Sequence, residues 1–300
     1  MNTLPSIFVS HGSPMTAIEP GAAGDFMRRL GPAIDATFGR PKAILAVSAH
    51  TMTREPVLLS ASRHEAVYDF GGFDPKLYTL RYDAPGAPDL APRVQQLLAA
   101  AGIAAHVVHE GGLDHGIWTP LRYMYADARV PVLPLAWVPT WAPERQMALG
   151  QALRPLADEG VLVVGSGSIT HNLRLFMNGR PSMDAPEMPQ SREFREWVAS
   201  TSTQRDWSAL IDYRRQAPHA ELMHPTDEHL LPWYVAAGTG GRDHAPVRLH
   251  DSAAYAYIGM DAYAFGAGAT TLAASLNRGS PASTATTASA VSRRDASTNF

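Results

Sequence analysis

The sequence predicts an α/β fold, with a single domain whose central sheet is mostly parallel or mixed and is flanked by helices. Short apolar runs such as Ala43–Ser48 (AILAVS) lack polar alternation, which is typical of strands covered on both faces. Amphipathic stretches separate these runs, and that order favours parallel strands with helices on both sides of the sheet. The 300 residues are 45% hydrophobic and 18% charged, the composition of a folded globular chain.

The first half of the chain alternates predicted strands and helices. An apolar run predicts a strand over Ser6–Ser10. Apolar residues at helical spacing then predict a helix over Asp25–Phe38, with Asp25 as its N-cap. The later predicted strands are Ala43–Ser48, Ile103–Val108, Val130–Trp137 and Val161–Gly165, and the helices between them are Asp89–Ala101 and Pro143–Leu156.

The second half is less regular. Gly179–Gln190 is rich in proline and predicts a loop. Helices are predicted over Ser191–Ser200, Trp207–Arg215 and Thr226–Ala237, and strands over Val247–Leu249 and Ala253–Phe265. No repeat or clean linker divides the chain, so we predict one catalytic domain over residues 1–278. Ser, Thr and Ala supply 14 of the 22 residues from 279 to 300, which predicts a disordered tail because so little apolar surface is available there.

Charge and composition exclude several classes of function. With 25 basic and 28 acidic residues the net charge is −3, which argues against a dedicated nucleic-acid-binding protein. The absence of cysteine excludes disulfides, thiolate metal sites and cysteine nucleophiles. No apolar run approaches the roughly 18 residues that span a bilayer, and the N-terminal segment lacks the basic residues of a secretory signal. We therefore expect a cytoplasmic protein without a membrane partner.

Three histidines directly follow predicted strands. They are His11, His50 and His171. Ligands of open α/β sheets bind at the carboxyl ends of the strands, so three imidazoles at one sheet edge could converge on one point. Imidazole is also the main metal-ligating side chain left to a protein without cysteine. The pattern predicts a metal site at this edge.

Two further histidines occupy similar turns. His224 precedes Pro225 and the predicted helix that starts at Thr226, and extended backbone before a proline would hold it just outside the helix. His115 lies between a glycine-containing turn and an apolar helix. The other histidines lack such turns and are assigned to the surface or to packing. His229, one helical turn beyond His224, is expected to support the site or the fold.

Six motifs, taken together, resemble a known family. SHGSP, SAH, YDFGGF, LDHGIWTPL, SGSITHNL and HPTDEHLLP occur in this order between about residues 4 and 266. They are similar to the class III extradiol ring-cleaving dioxygenases, in the DOPA 4,5-dioxygenase-like branch. The resemblance implies that His11, His50 and His224 are metal ligands, that His171 is either a ligand or an acid/base residue, and that His115 is an acid/base residue. It also implies a single α/β domain with a mixed sheet.

The resemblance implies a function as well. One Fe(II) or Zn(II) ion per chain would support opening of a catechol-type ring by O2 to a muconic semialdehyde. The partners would be a small aromatic diol and O2, and we expect a monomer or a small homo-oligomer. Thr51 stands where this branch often has tryptophan, which affects one wall of the expected pocket. The Pro-rich loop Gly179–Gln190 follows His171 closely and is expected to cover the metal cleft.

Two alternatives remain at this point. Three histidines and a water molecule are also a common catalytic zinc arrangement, so a zinc-dependent hydrolase is the main alternative. A non-catalytic metal-binding protein is the other. Dependence on Fe(II) and consumption of O2 would distinguish a ring-cleaving enzyme from a zinc hydrolase, and a closed, non-catalytic metal site would need neither an aromatic pocket nor a fifth histidine.

Overall fold

A mixed eight-stranded sheet organises residues 3–278, the part of the chain that this computed structural model describes. The predicted tail over residues 279–300 lies outside the described residues. The strands are β1 (Ser6–Ser10), β2 (Ala43–Ser48), β3 (Val57–Leu59), β4 (Arg63–His64), β5 (Ala84–Pro85), β6 (His106–Val108), β7 (Val132–Ala136), β8 (Val161–Gly167), β9 (Val247–His250), β10 (Ala253–Ala254), β11 (Ile258–Gly259) and β12 (Ala262–Phe265).

The helices that cover this sheet vary from one turn to five. They are α1 (Gly21–Phe38), α2 (Ala91–Ala100), α3 (His115–Met124), α4 (Pro143–Ala152), α5 (Leu173–Gly179), α6 (Pro189–Gln204), α7 (Trp207–Ile211), α8 (Tyr213–Gln216), α9 (Ala220–Met223), α10 (Leu231–Gly240) and α11 (Ala269–Arg278). Within residues 3–278, none of these helices combines the length and the apolar character that a membrane span requires.

The strand order of the large sheet is β6-β3-β7-β2-β8-β1-β12-β9. Its centre is parallel, because β2 pairs in parallel with β7 and β8, and β8 pairs in parallel with β1. Antiparallel pairs flank this centre, β3 with β7 on one side and β12 with β1 and β9 on the other. The predicted mixed α/β fold is confirmed, and the carboxyl ends of β1, β2 and β8 meet at one edge.

Each face of the sheet packs against its own set of helices. In β2, Leu45 and Val47 belong to the core shared with α2, α4 and α10, whereas Ile44 and Ala46 face the core formed with α1, α3 and α11. Because both faces are covered, every residue of β2 is buried. This burial explains why the sequence of β2 is continuously apolar and does not alternate with polar residues.

Helix α10 approaches β8 closely enough that only glycine fits beneath it. A methyl group at Gly165 would overlap the Pro232 carbonyl oxygen, and one at Gly167 would overlap the His229 carbonyl oxygen. The His229 carbonyl also accepts a hydrogen bond of 2.8 Å from the Ser168 amide. The turn before α10 is therefore fixed to the end of β8.

The predicted helix Thr226–Ala237 begins later than the sequence suggested. It starts at Leu231 and ends at Gly240, with Pro232 in its first turn. Asp227 does not serve as a first-turn acidic residue, because its carboxylate accepts hydrogen bonds from Tyr213 Oη and Arg214. Residues 225–230 form turns instead. This shift changes where the two histidines of the HPTDEH segment lie.

Two other predicted elements are interrupted. The predicted strand Ala253–Phe265 is divided into three short strands, and the first break, between β10 and β11, lies where Tyr255 and Ala256 adopt positive φ values of 53° and 66°. Residues in that region of φ cannot continue an extended strand. The predicted helix Trp207–Arg215 is likewise divided into α7 and α8 at Asp212.

Candidate active site

Three imidazoles come together where the parallel strands end. His11 follows β1 directly and His50 lies in the turn after β2, and their Nε2 atoms are 3.1 Å apart. The third imidazole belongs to His229, whose ring centroid is 5.5 Å from that of His11 and 5.0 Å from that of His50. One ring nitrogen of each residue lies within 4.8 Å of the others, a spacing that one metal ion could bridge.

His224 lies outside this group, contrary to the predicted ligand set. Its side chain is fully buried, its Nε2 is 2.7 Å from the Ile169 carbonyl oxygen, and its ring packs 5.5 Å from that of Phe194. His224 lies outside the group because α10 begins later than the sequence predicted. Because the HPTDEH segment forms turns up to Leu230, its second histidine rather than its first reaches the ends of β1 and β2. The sequence did contain this signal, since the same motif holds both histidines.

His171 borders the group without joining it. Its ring stacks on that of His229, with centroids 3.4 Å apart and planes 10° from parallel. Its nearest potential metal-binding neighbours are Glu228 and His229 rather than His11 and His50. Glu228 also brings a carboxylate to this side of the site, which the motif analysis did not anticipate.

A hydrogen-bond chain fixes the tautomer of His11. The Ser166 hydroxyl donates its hydrogen to the Gly116 carbonyl oxygen, so it can only accept from His11 Nδ1, 3.0 Å away. In the neutral ring the proton therefore resides on Nδ1. The Nε2 lone pair is left free and faces His50, the arrangement that a metal-ligating histidine needs.

Carboxylates orient two other rings in the same way. Glu228 Oε1 lies 3.1 Å from His229 Nδ1. Both carboxylate oxygens of Asp69 lie 3.0 Å from His115 Nδ1, and Asp69 Oδ1 also accepts from the His115 backbone amide at 2.9 Å. In each ring the Nδ1 proton points to a carboxylate, so the Nε2 lone pair is free. The His115 ring centroid is 4.1 Å from that of His50.

Burial keeps the imidazoles of His11, His50, His171 and His229 neutral. It lowers the pKa of His11 well below 6.5, and the neighbouring histidines lower that pKa further. Burial also lowers the pKa of His50 to about 4 and that of His171 to about 3. Burial opposes ionisation of Asp69, but the hydrogen bonds from the His115 ring and backbone amide bring the net pKa of the carboxyl below its usual value. Neutral rings with free lone pairs are suited to bind a divalent cation.

Thr51 contributes to a support beneath the site rather than to its open wall. Its hydroxyl donates to Asp114 Oδ2, while the Ser48 hydroxyl donates to Asp114 Oδ1 at 2.6 Å. Asp114 is buried at the start of α3, and burial raises the pKa of its carboxyl. Since Thr51 is directed at Asp114, it does not line the cavity in the part of the chain described here.

An open cavity of about 180 Å³ leads to the histidines. One side, which we call the histidine wall, consists of His50, His115, His171 and His229. The rest of the apolar lining, which we call the apolar wall, consists of Phe70, Phe73, Leu173, Phe176 and Ile258.

The Pro-rich loop does not cover this cavity. None of its residues between 179 and 190 lines the space. The Met188 amide donates to the Ala256 carbonyl at 2.8 Å, and Glu187 accepts from Arg195 Nη1 at 2.7 Å. The first contact holds the loop against the turn at residues 255–256, and the second holds it against α6. The expected lid is therefore wrong for the loop, and helix α5 occupies that side of the cleft instead.

Comparison with known proteins agrees with this architecture. The family model described as the catalytic LigB subunit of aromatic ring-opening dioxygenase matches residues 5–266. The chain belongs to this family. It is 38% identical over 253 residues to a 4,5-DOPA dioxygenase extradiol from Beta vulgaris, covering 84% of this chain and 92% of the relative. A 4,5-DOPA dioxygenase extradiol from Escherichia coli is 33% identical over 246 residues, covering 80% of this chain and 87% of the relative.

A solved structure shares the fold of this LigB-family chain. The crystal structure of an uncharacterized protein from Escherichia coli K12 superposes with a TM-score of 0.69 at 27% identity, over 88% of this chain and all of the other. These similarities identify an extradiol ring-cleaving dioxygenase, an oxidoreductase that acts on an aromatic substrate with O2. The alternatives of a zinc hydrolase and a non-catalytic metal-binding protein are not supported.

Proposed function

We propose that this extradiol dioxygenase holds one divalent metal ion on His11, His50 and His229 and opens a catechol-type ring to a muconic semialdehyde. The observation that carries the proposal is the convergence of three neutral imidazoles, two buried and that of His50 half-buried, with ring nitrogens within 4.8 Å of one another. Two of the three have their second ring nitrogen occupied by a hydrogen bond, from His11 to Ser166 and from His229 to Glu228.

The donor set fits Fe(II) or Zn(II). Both ions accept imidazole nitrogen, and catalytic sites commonly use three protein ligands and leave positions for substrate. Three neutral ligands also leave the full double charge of the cation, which favours an anionic catecholate. When bound, the ion polarises the two catechol oxygens and, if it is iron, transfers electrons between the ring and O2.

His115 is suited to move the catechol proton. Its Nε2 is free, its ring borders both His50 and the cavity, and Asp69 holds its Nδ1 proton in place. We assign His115 Nε2 to accept a proton from a catechol hydroxyl and to return it when the ring opens, a role for which imidazole is well suited. Asp69 acts as a positioning residue for this ring.

His171 is proposed as a second acid/base residue rather than a fourth ligand. It lines the cavity and stacks on His229, but it does not share the space between His11 and His50. From there its ring can hydrogen-bond a substrate or oxygen atom beside the metal position.

Reconstitution without air tests the proposal. The purified chain is loaded anaerobically with Fe(II) or Zn(II), then mixed with catechol and O2 while oxygen uptake and product absorbance are recorded. We expect one O2 consumed per ring opened with Fe(II) and no uptake with Zn(II). Absence of uptake with Fe(II) and every catechol offered would overturn ring cleavage. Full metal binding by His11→Ala, His50→Ala and His229→Ala variants would overturn the ligand set.

A further inference from the structure

The apolar wall begins beside His115 and extends from there toward the mouth of the cavity. Phe70 lies edge-on to His115, with ring centroids 5.5 Å apart, so it borders the place where a catechol ring must bind. Phe73 lies beyond Phe70 at 5.7 Å, again edge to face. A substituent on the ring that extends away from His115 therefore meets aromatic carbon.

Helix α5 continues this surface toward the solvent. Leu173 and Phe176 are three residues apart, on one face of the helix, and both line the cavity. Leu173 remains 63% exposed, so part of its apolar surface is accessible from the cavity mouth. A bound apolar group would cover it.

Most polar groups that line the cavity already form hydrogen bonds within the protein. The Asn172 amide nitrogen donates to the Leu222 carbonyl at 2.7 Å, and its oxygen accepts from the Arg174 amide at 2.9 Å. Ser13 Oγ accepts from the Met15 amide at 3.3 Å. The Tyr257 hydroxyl is buried and has no partner within the described residues. It is neutral, so it can donate one hydrogen bond but cannot balance a charge.

No charged side chain near the cavity is placed to form an ion pair with a charged substituent of the substrate. Within residues 3–278, no Lys, Arg, Asp or Glu lines the cavity. The nearby carboxylates, Asp69 and Glu228, accept hydrogen bonds from His115 and His229. A substrate carboxylate would lose its hydration, find no cation and meet like charge behind the histidines. An ammonium group that lies against the apolar wall would also lose hydration, and no carboxylate lines that part of the cavity within the described residues.

From these contacts we infer that the catechol opened by this enzyme carries an uncharged, apolar substituent that lies against Phe73, Leu173 and Phe176. The inference rests on the proposed ring-cleaving function and narrows it to a substrate class. It separates this chain from the relatives named for 4,5-DOPA, since DOPA carries both a carboxylate and an ammonium group.

Four catechols of similar length test the inference. They are 4-propylcatechol, dihydroxyphenylpropionate, dopamine and L-DOPA, which are neutral, anionic, cationic and zwitterionic, and unsubstituted catechol is the reference. With the Fe(II)-loaded enzyme, we expect kcat/KM for 4-propylcatechol to exceed that for each charged compound by roughly 10- to 100-fold. Anaerobic titration calorimetry should show the same order in Kd. A charged compound that equals or exceeds 4-propylcatechol in both measurements overturns the inference.

A pair of variants on α5 sharpens the test. Leu173→Lys places a cation on the cavity side, and we expect it to raise the propionate-to-propyl ratio of kcat/KM about 10-fold. Met177→Lys is the matched control, because Met177 is similarly exposed, at 65%, but does not line the cavity. Equal shifts in both variants would contradict the inference. If no catechol is opened at all, the ring-cleaving proposal fails, and the calorimetric order of affinities still decides the substituent.

Discussion

The two walls of the cavity are built in opposite ways. On the histidine wall and just behind it, His11, His115 and His229 are almost fully buried, and each has one ring nitrogen bound to Ser166, Asp69 or Glu228. On the apolar wall, Leu173 belongs to a seven-residue helix and is 63% exposed. The reacting groups are thus fixed by hydrogen bonds to side chains of other segments, whereas the substrate-contacting groups lie on elements that can change without disturbing those bonds.

Strand pairing explains the rigidity of the histidine side. Val9 of β1 pairs with Ser166 of β8 in parallel register, and Ser166 then connects His11 to the Gly116 carbonyl at the start of α3. A shift of any of these three elements would break the chain of hydrogen bonds. On the apolar side, α5 is held at its start by Asn172, which donates to the Leu222 carbonyl and accepts from the Arg174 amide.

The largest expected effect distinguishes His229 from His224, the two histidines of the HPTDEH segment. His229→Ala should lose the metal and lower kcat/KM more than about 10³-fold, because two imidazoles hold a divalent ion weakly. His224→Gln, which keeps a hydrogen-bond donor for the Ile169 carbonyl, should retain one metal ion per chain. Metal analysis after gel filtration measures both. The reverse pattern, with metal lost only from His224→Gln, would restore the ligand set predicted from the sequence.

His115→Gln should produce the next largest loss. Removal of the group that accepts the catechol proton should lower kcat by a factor of about 10²–10⁴. Metal content should stay unchanged, because His115 is outside the group formed by His11, His50 and His229. Steady-state kinetics with parallel metal analysis tests this, and loss of the metal would instead make His115 a ligand.

Asp69→Asn should have a smaller effect of the same kind. The amide loses the negative charge that holds the Nδ1 proton of His115, so we expect kcat to fall about 10- to 100-fold. Glu65→Gln, on an exposed residue of the same segment, is the control. An equal loss in the control would show that the segment, rather than the carboxylate, is responsible.

Phe176→Ala tests the apolar wall alone. Loss of the ring should raise KM for 4-propylcatechol about 10-fold, from the apolar contact removed, while kcat and metal content remain near their original values. A large fall in kcat without a change in KM would mean that α5 takes part in the reaction rather than in binding.

The smallest effect concerns the Pro-rich loop. Glu187→Gln weakens its contact with the buried Arg195 and should reduce the free energy of unfolding by about 1–2 kcal/mol, without affecting kcat. Arg192→Gln removes only an exposed ion pair with the same Glu187 and should cost less than about 0.5 kcal/mol. Urea unfolding compares the two. If Glu187→Gln instead lowered activity without changing stability, the loop would act as a lid.

The sequence predicted the parts of the site that depend on local pattern. Apolar runs located β1, β2 and β8, and the meeting of parallel strand ends then brought His11 and His50 together. It did not locate the start of α10, because that start depends on long-range contacts. Asp227 is held by Tyr213 and Arg214, and α10 packs on the glycines of β8.

The partners of the histidines were beyond local analysis for a similar reason. Ser166 and His11 are 155 residues apart in the chain, and Asp69 and His115 are 46 apart. Asp69 even lies inside the YDFGGF motif, where the aromatic residues are more conspicuous than the carboxylate between them. Only the folded arrangement shows which polar residue faces which ring.

The close fit of the turn before α10 against β8 has a practical meaning for protein engineering. Gly165 and Gly167 leave no room for any side chain, and the residue displaced by a substitution at Gly167 would be His229 itself. A library designed to find new substrates should therefore keep these two glycines and randomise positions 73, 173 and 176. Variants selected from such a library should differ in the molecules they accept while retaining the same inorganic chemistry.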